Sequence, residues 1–302
     1  MLGVTGPNEY ENNVNNNWYT NTSAKWCLEY TQQALDVVKR MNPSRFNEIV
    51  AKINFDVVAE TKRWKQITDN LHFPYDSQTN VYLQQEGYMD KEQILAKDLD
   101  PAQRPINQHW SWDRILRSCF IKQADVLQGI YLFEENYDIE TIRRHFDFYE
   151  PRTVHESSLS PCVHSILAAR LGNMQKAYEF YLRTSRLDID DYNHEAHEGL
   201  HITSMAGTWM SIVEGFGGKR VKDGKLYLSP LIPDKWEEYS FKIIFREVDV
   251  VVTVNKLHVN LVAKGGGLTI NLYGNDVELN ENIRLQVTTQ STDEVKVLMN
   301  LK

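Results

Sequence analysis

The spacing of apolar residues changes character at Gly215-Phe216-Gly217-Gly218, and no other feature limits the possible folds of this chain as strongly. Upstream, apolar residues recur at helical intervals; downstream, they alternate. Periods of about 3.6 and about 2 residues present side chains to a core differently, so the two parts need different architectures. The expected fold is mainly α with a C-terminal all-β domain, divided into residues 1–217 and 218–302.

Before the change, Asn21 or Thr22 is placed to cap a helix carrying Trp26, Leu28, Tyr30, Leu35 and Val38 and ending near Asn42-Pro43. Ser44 opens a second, through Phe46, Ile49, Val50, Ile53, Val57 and Val58. Further helices are expected over Ile115 to Tyr131, Ile139 to Tyr149, Leu159 to Leu171 and Met174 to Leu187. The stretch around Gly172-Asn173 looks like one tetratricopeptide hairpin, but no copy recurs at about 34 residues, which leaves two antiparallel helices joined by a Gly-Asn turn.

After the change, Asp223-Gly224 separates Lys219-Arg220-Val221 from Leu226-Tyr227-Leu228, a hairpin signal. Tyr239 to Phe245, Val248 to Val254, Leu257 to Val262, Leu268 to Leu272 and Ile283 to Val287 follow as short strands between Gly, Asn and Asp clusters. Strands at this spacing predict a sandwich or jelly roll.

A net charge of −8 argues against nucleic acid as a partner, which would need a basic stripe. It also requires any anion site to be built locally from amides and placed donors. Cys27, Cys119 and Cys162 lack CxxC spacing and read as buried thiols in a reducing compartment. The apolar runs are too short to span a bilayer and no secretory signal opens the sequence, so a cytoplasmic protein without a membrane partner is expected.

Four segments could carry chemistry. Glu9 lies in an aromatic, amide-rich stretch with Tyr10, Glu11, Trp18 and Tyr19, a setting that suits a proton donor; the plain alternative is an acid on a polar turn. Lys122-Gln123, in an otherwise apolar helix, could hold sugar hydroxyls, or Lys122 could simply snorkel; Asp125 could pair with either. Ser157, Ser158 and Ser160 precede Pro161 at a helix start, which reads as an anion site, as an N-cap, or as both. His197-Glu198-Gly199-Leu200-His201 fits the HExxH zinc pattern, with His194 one turn earlier. Gly199 weakens the helix that pattern requires, so no metal is expected, and His201 reads instead as a donor to an anion.

Taken together, Gly6-Pro7-Asn8-Glu9-Tyr10, Lys122-Gln123-Ala124-Asp125, His155-Glu156-Ser157-Ser158-Leu159-Ser160, and His197-Glu198-Gly199-Leu200-His201 through Ala206-Gly207 occur in the order found in the family 65 glycoside phosphorylases. The chain resembles that family along essentially its whole length. The resemblance implies part of an (α/α)6 barrel, whose loops form the active site, followed by a jelly-roll or β-sandwich. By carry-over, Glu9 matches the general acid, Lys122 and Gln123 the pair that holds the transferred glucose, and Ser157, Ser158 and His201 positions associated with phosphate.

The implied reaction is inverting. Glu9 protonates the glycosidic oxygen while phosphate attacks the anomeric carbon from the opposite face. An α-glucosidic disaccharide, maltose foremost, then gives β-glucose 1-phosphate and glucose. An inverting hydrolase would need a second carboxylate about 6.5–9.5 Å from the first, a role phosphate makes unnecessary. Kojibiose, nigerose and trehalose phosphorolysis, inverting hydrolysis, and a non-catalytic carbohydrate-binding fragment are the alternatives. The resemblance implies no metal or organic cofactor, phosphate being a co-substrate, and a homodimer for the full-length enzyme. Full members carry upstream a β-sandwich, a linker and the first part of the barrel, with a Trp-Asp pair that binds glucose. The chain is therefore expected to be a C-terminal portion with little activity alone.

Overall fold

A computed structural model of the chain describes residues 1–281, 284–288 and 297–298. The chain divides into two compact units, Met1–Glu156 and Ser157–Lys302. The change from helices to strands falls inside the second.

The first unit runs α1 (Trp18–Met41), α2 (Pro43–Lys52), α3 (Val57–Asp69), the paired strands β1 (Tyr75–Asp76) and β2 (Val81–Tyr82), then α4 (Ile106–His109), α5 (Trp112–Arg117), α6 (Val126–Leu132) and α7 (Ile139–Tyr149). Helix α1 starts earlier than Asn21 or Thr22. Its cap is Asn17, whose side-chain oxygen accepts from Thr20 N at 2.8 Å, and Asn21 is buried inside the helix. The expected helix from Ser44 to Val58 is two helices. Asn42 caps α2 with Pro43 in its first turn, Asp56 caps α3, and Asn54 adopts φ 50 between them. Asparagine tolerates that left-handed conformation better than most residues.

The expected helix from Ile115 to Tyr131 is also interrupted. Ser118 to Asp125 is not helical, because its main chain bonds sideways: Cys119 N donates to Glu92 O at 3.1 Å and Ile121 N to Arg152 O at 3.1 Å, while Ile121 O accepts from Val154 N at 2.9 Å. Lys122 and Gln123 therefore sit on a loop, not on a helix. The core here gathers Tyr10, Ile106, Trp110, Ile115, Phe120 and Val154. By contrast, Trp26, Tyr30 and Val38 of α1 are exposed, and so is Cys27, contrary to the expected buried thiol. Cys119 and Cys162 are buried as expected.

Helices α1 and α6 approach closely where Gly129 faces Trp18. A Cβ on Gly129 would lie 2.5 Å from Trp18 Cζ3 and 3.2 Å from Tyr19 Cδ2. Trp18 is only 2% exposed and is held in place by stacking on Tyr82, so it has little room to yield. Gly129→Ala is expected to lose about 1–3 kcal/mol of stability, read from a denaturant midpoint. A midpoint equal to that of the parent would show that the ring moves freely.

The second unit opens with α8 (Pro161–Arg170) and α9 (Met174–Ser185), joined through Gly172 at φ 74 and the N-cap Asn173 as the Gly-Asn turn predicts. Then come α10 (Leu187–Asp190) and α11 (Ile202–Met210), which continues as a π turn over Ser211–Phe216. Strands follow: β3 (Arg220–Lys222), β4 (Lys225–Leu228), β5 (Glu238–Phe245), β6 (Val248–Asn255), β7 (His258–Lys264), β8 (Leu268–Leu272), β9 (Asn275–Leu279), β10 (Arg284–Thr288) and β11 (Val297–Leu298). Of the strand expected over 283–287, residue 283 lies outside the described residues.

Two sheets, in the orders β11-β10-β7-β6-β5 and β3-β4-β8-β9, contribute to one apolar core. Alternation puts Val250, Val252, Leu261, Leu226, Leu228, Ile270 and Leu272 inside it. The fold class is the expected one: helical, then all-β.

Candidate active site

In the first unit, the sequence places Glu9 one residue after a fully buried asparagine, and that neighbour builds the site. Asn8 Oδ1 accepts from Tyr10 N at 3.1 Å and from Lys122 N at 2.9 Å. Its amide donates to Gln84 Oε1 at 3.3 Å and to Phe120 O at 3.4 Å, and its own N–H donates to Asp125 Oδ2 at 3.2 Å. One side chain thus fixes both the Glu9 turn and the Lys122 loop.

The result is a pair. Lys122 Nζ donates to Glu9 Oε2 at 2.5 Å and lies 5.9 Å from the centroid of the Tyr10 ring. The Glu9 side chain is 54% exposed and Lys122 21%, so the carboxylate is open to a ligand. Gln123, next in sequence, is buried, and its Oε1 has no hydrogen-bond partner among the described residues. A buried acceptor in that state is stabilised by any donor that reaches it.

The surroundings expected for Glu9 are arranged differently. Glu11 does not supply a bare like charge, because its buried carboxylate pairs with Lys91 Nζ; burial pushes its pKa up, and Lys91 opposes the shift. Tyr10 is buried, and its hydroxyl donates to Glu156 Oε2 at 2.7 Å. Glu156 also accepts from Ile106 N at 3.0 Å and Arg104 Nε at 3.2 Å, which locks the ring next to Glu9.

Asp125 pairs with neither Lys122 nor Gln123, the two partners the sequence offers. Burial pushes its carboxyl up to about 7, against the lowering effect of the Asn8 N–H and the Asn17 amide. Between the unfolded carboxyl range and about pH 7, the folded chain holds a proton that the unfolded chain does not. This contribution is therefore fully present at acid pH and lost as pH rises through about 7, a fall of a few kcal/mol. Asp125→Asn is expected to flatten that slope in denaturant midpoints taken across the window. Parallel pH profiles for the two proteins would contradict it.

In the second unit, Ser157 is buried and its Oγ accepts from Leu159 N at 3.2 Å. Pro161 opens α8 as expected, but Ser160, at the N-cap position, makes no side-chain capping bond. Ser158 Oγ lies 2.6 Å from Thr203 Oγ1. His201 is the N-cap residue of α11, two residues before Thr203, so Ser158 and His201 meet at one helix N-terminus.

Asp188 sets the His201 ring. Its Oδ1 lies 2.5 Å from Nδ1, and its Oδ2 accepts the His201 main-chain N–H at 2.9 Å. These two bonds from His201, main chain first and ring second, lower the Asp188 pKa. With Nδ1 engaged, Nε2 is the ring atom left to face a ligand; Glu195 Oε2 is 3.9 Å from it.

The HExxH pattern does not form the helix a zinc site requires. Residues Ala196–Glu198 make a single 3-10 turn, Gly199 takes φ 123, and His201 begins a new helix. His197 and His201 are therefore not stacked on one helical face.

Asn8, Asp188 and Thr203 are the structural partners that sequence reasoning misses. The Asp188-Ile189-Asp190-Asp191 run beside a His-rich segment signals that an acid faces a histidine, without selecting which acid.

Comparison with known proteins gives the class. Residues 1–210 match the family profile "Glycosyl hydrolase family 65 central catalytic domain", and residues 220–279 match "Glycosyl hydrolase family 65, C-terminal domain". The chain belongs to glycosyl hydrolase family 65. It is 50% identical over 278 residues to a maltose phosphorylase of Bacillus subtilis (strain 168), covering 92% of this chain and 36% of that protein. An alpha,alpha-trehalose phosphorylase of Thermoanaerobacter brockii is 37% identical over 259 residues, covering 85% and 33%. The solved structure "Putative kojibiose phosphorylase from human microbiome" matches with a TM-score of 0.86 at 37% identity, over 95% of this chain and 39% of that one. The chain thus spans about a third of the length of the curated relatives it matches.

Proposed function

We propose that this sequence belongs to an inverting glycoside phosphorylase that converts maltose and phosphate to β-glucose 1-phosphate and glucose. The observation that carries the reading is the Glu9–Lys122 pair at 2.5 Å, with the carboxylate exposed and the turn beneath it fixed by Asn8. Glu9 is the acid that protonates the glycosidic oxygen. Lys122 and Gln123 hold the glucose hydroxyls, a reading supported by a Gln123 Oε1 that has no partner among the described residues. Ser157, Ser158 and His201 hold phosphate, supported by the cluster of Ser158, Thr203 and His201 at the start of α11.

Phosphate is itself the nucleophile, so the reaction needs no metal, no organic cofactor and no second carboxylate. Residues 1–217 serve as part of the (α/α)6 catalytic barrel and residues 218–302 as the β domain, in a cytoplasmic enzyme that works as a homodimer. The matched relatives are about three times as long, so turnover belongs to a chain of their length, and these 302 residues alone are expected to show little. Among the described residues no helix is long and apolar enough to cross a membrane. Maltose is favoured over trehalose by the 50% identity to one relative against 37% to the other.

The test replaces the matching segment of the Bacillus subtilis maltose phosphorylase with these 302 residues. Maltose, trehalose, kojibiose and nigerose are then assayed with and without phosphate. Phosphate-dependent release of β-glucose 1-phosphate from maltose is expected, and His201→Ala should raise the phosphate KM about tenfold or more. Equal glucose release without phosphate would replace phosphorolysis by hydrolysis, and preference for another disaccharide would replace maltose.

A further inference from the structure

Asp125 is the last residue before α6, where an aspartate ordinarily accepts hydrogen bonds from the first turn of its own helix. Here it makes no such bond. Its carboxylate is buried and directed elsewhere: Oδ2 accepts the Asn8 N–H at 3.2 Å, and both oxygens lie 3.2 Å from Asn17 Nδ2. The chain makes room for this arrangement at Gly6, where a Cβ would lie 2.4 Å from Asp125 Oδ2 and 2.4 Å from Asn17 Nδ2. A polar group without a cap function, packed under a glycine, costs stability when buried unless its hydrogen bonds are made, and the bonds made here run to Asn8 and Asn17.

What it holds is Asn8. The Asn8 main chain rests on Asp125 while the Asn8 side chain anchors Tyr10 N and Lys122 N. Glu9 lies between the two anchored residues, and Lys122 is the residue that reaches it.

We propose that Asp125 is a positioning residue: through the Asn8 N–H it fixes the turn that sets Glu9 against Lys122. This rests on the reading of Glu9 and Lys122 as the working pair, and it is tested by a contact and not by turnover, so the two can fail separately.

The measurement is heteronuclear NMR of the Lys122 side-chain ammonium in the 302-residue protein, assigned by loss of its signal in Lys122→Arg. In the parent background, Glu9→Gln shifts this signal because it removes the charge that the ammonium touches. In an Asp125→Ala background the same substitution should leave the signal unmoved, because the pair has already come apart. In an Asp125→Asn background the shift should persist, because one side-chain oxygen still accepts the Asn8 N–H.

Circular dichroism checks that each variant is folded. If Asp125→Ala is not, Asp125→Ser takes its place, polar but too short to reach Asn8, with the same expected loss. A Glu9-dependent shift undiminished in the Ala or Ser background overturns the proposal. Its loss in the Asn background overturns the assignment to the Asn8 hydrogen bond. Absence of phosphorolysis in the chimeric enzyme would overturn the functional reading and leave the NMR result standing.

Discussion

In the chimeric enzyme, with Glu9 as the proposed acid, Glu9→Gln is expected to lower phosphorolysis by about 10²–10⁴-fold, the range spanned by loss of a general acid, with little change in fold stability. The separation of the two effects follows from geometry. Glu9 is 54% exposed, so its amide replacement buries no new polar group, and its ion pair with Lys122 is open to solvent and contributes little to folding. Proton delivery, by contrast, is lost outright, since an amide carries no acidic proton. A substrate with a leaving group that departs without protonation should recover much of the rate. If Glu9→Gln slows maltose and such an activated substrate alike, Glu9 acts on binding and not as the acid.

The second large effect is expected at Asn8, and there stability and chemistry fall together. Asn8→Ala leaves two main-chain donors, Tyr10 N and Lys122 N, and two acceptors, Gln84 Oε1 and Phe120 O, short of a partner in a buried place. Each stranded group costs about 1–3 kcal/mol, so a total loss above about 4 kcal/mol is expected in urea unfolding. Asn8→Asp should lie between the two, because it retains the acceptor but loses the amide donor. A loss below about 1 kcal/mol for Asn8→Ala would mean that water replaces the side chain and that the turn holds itself.

These two residues also mark what the sequence makes legible. The Asp223-Gly224 hairpin is readable because its signal is local: Asp223 at φ 49 and Gly224 at φ 69 join strands that pair as Lys222 with Lys225. Strand β9 escapes notice because Asn275 and Asp276 at its start are polar and follow directly on the turn at Gly274. The Lys122 loop reads as helix because apolar spacing from Ile115 to Leu127 fits one. Main-chain bonds to Glu92 and Arg152 override that local preference.

At the site, Glu9, Lys122 and Gln123 are singled out by resemblance, and the structure pairs Glu9 with Lys122. Asn8 is invisible in advance because its partner Lys122 lies 114 residues away. Asp188 is nearer to His201, at 13 residues, but nothing in the spacing says which of three neighbouring acids the ring chooses.

The sideways bonding of residues 119–121 has a consequence for how such a protein can change over generations. The loop keeps its course through main-chain atoms, from Cys119 N on Glu92 O to Val154 N on Ile121 O, and these bonds do not depend on which side chains follow. Positions 122 and 123 can therefore be exchanged without the loop losing its path, whereas a change at Asn8 disturbs everything resting on it. Side-chain change has an open route through the first pair and a closed one through Asn8.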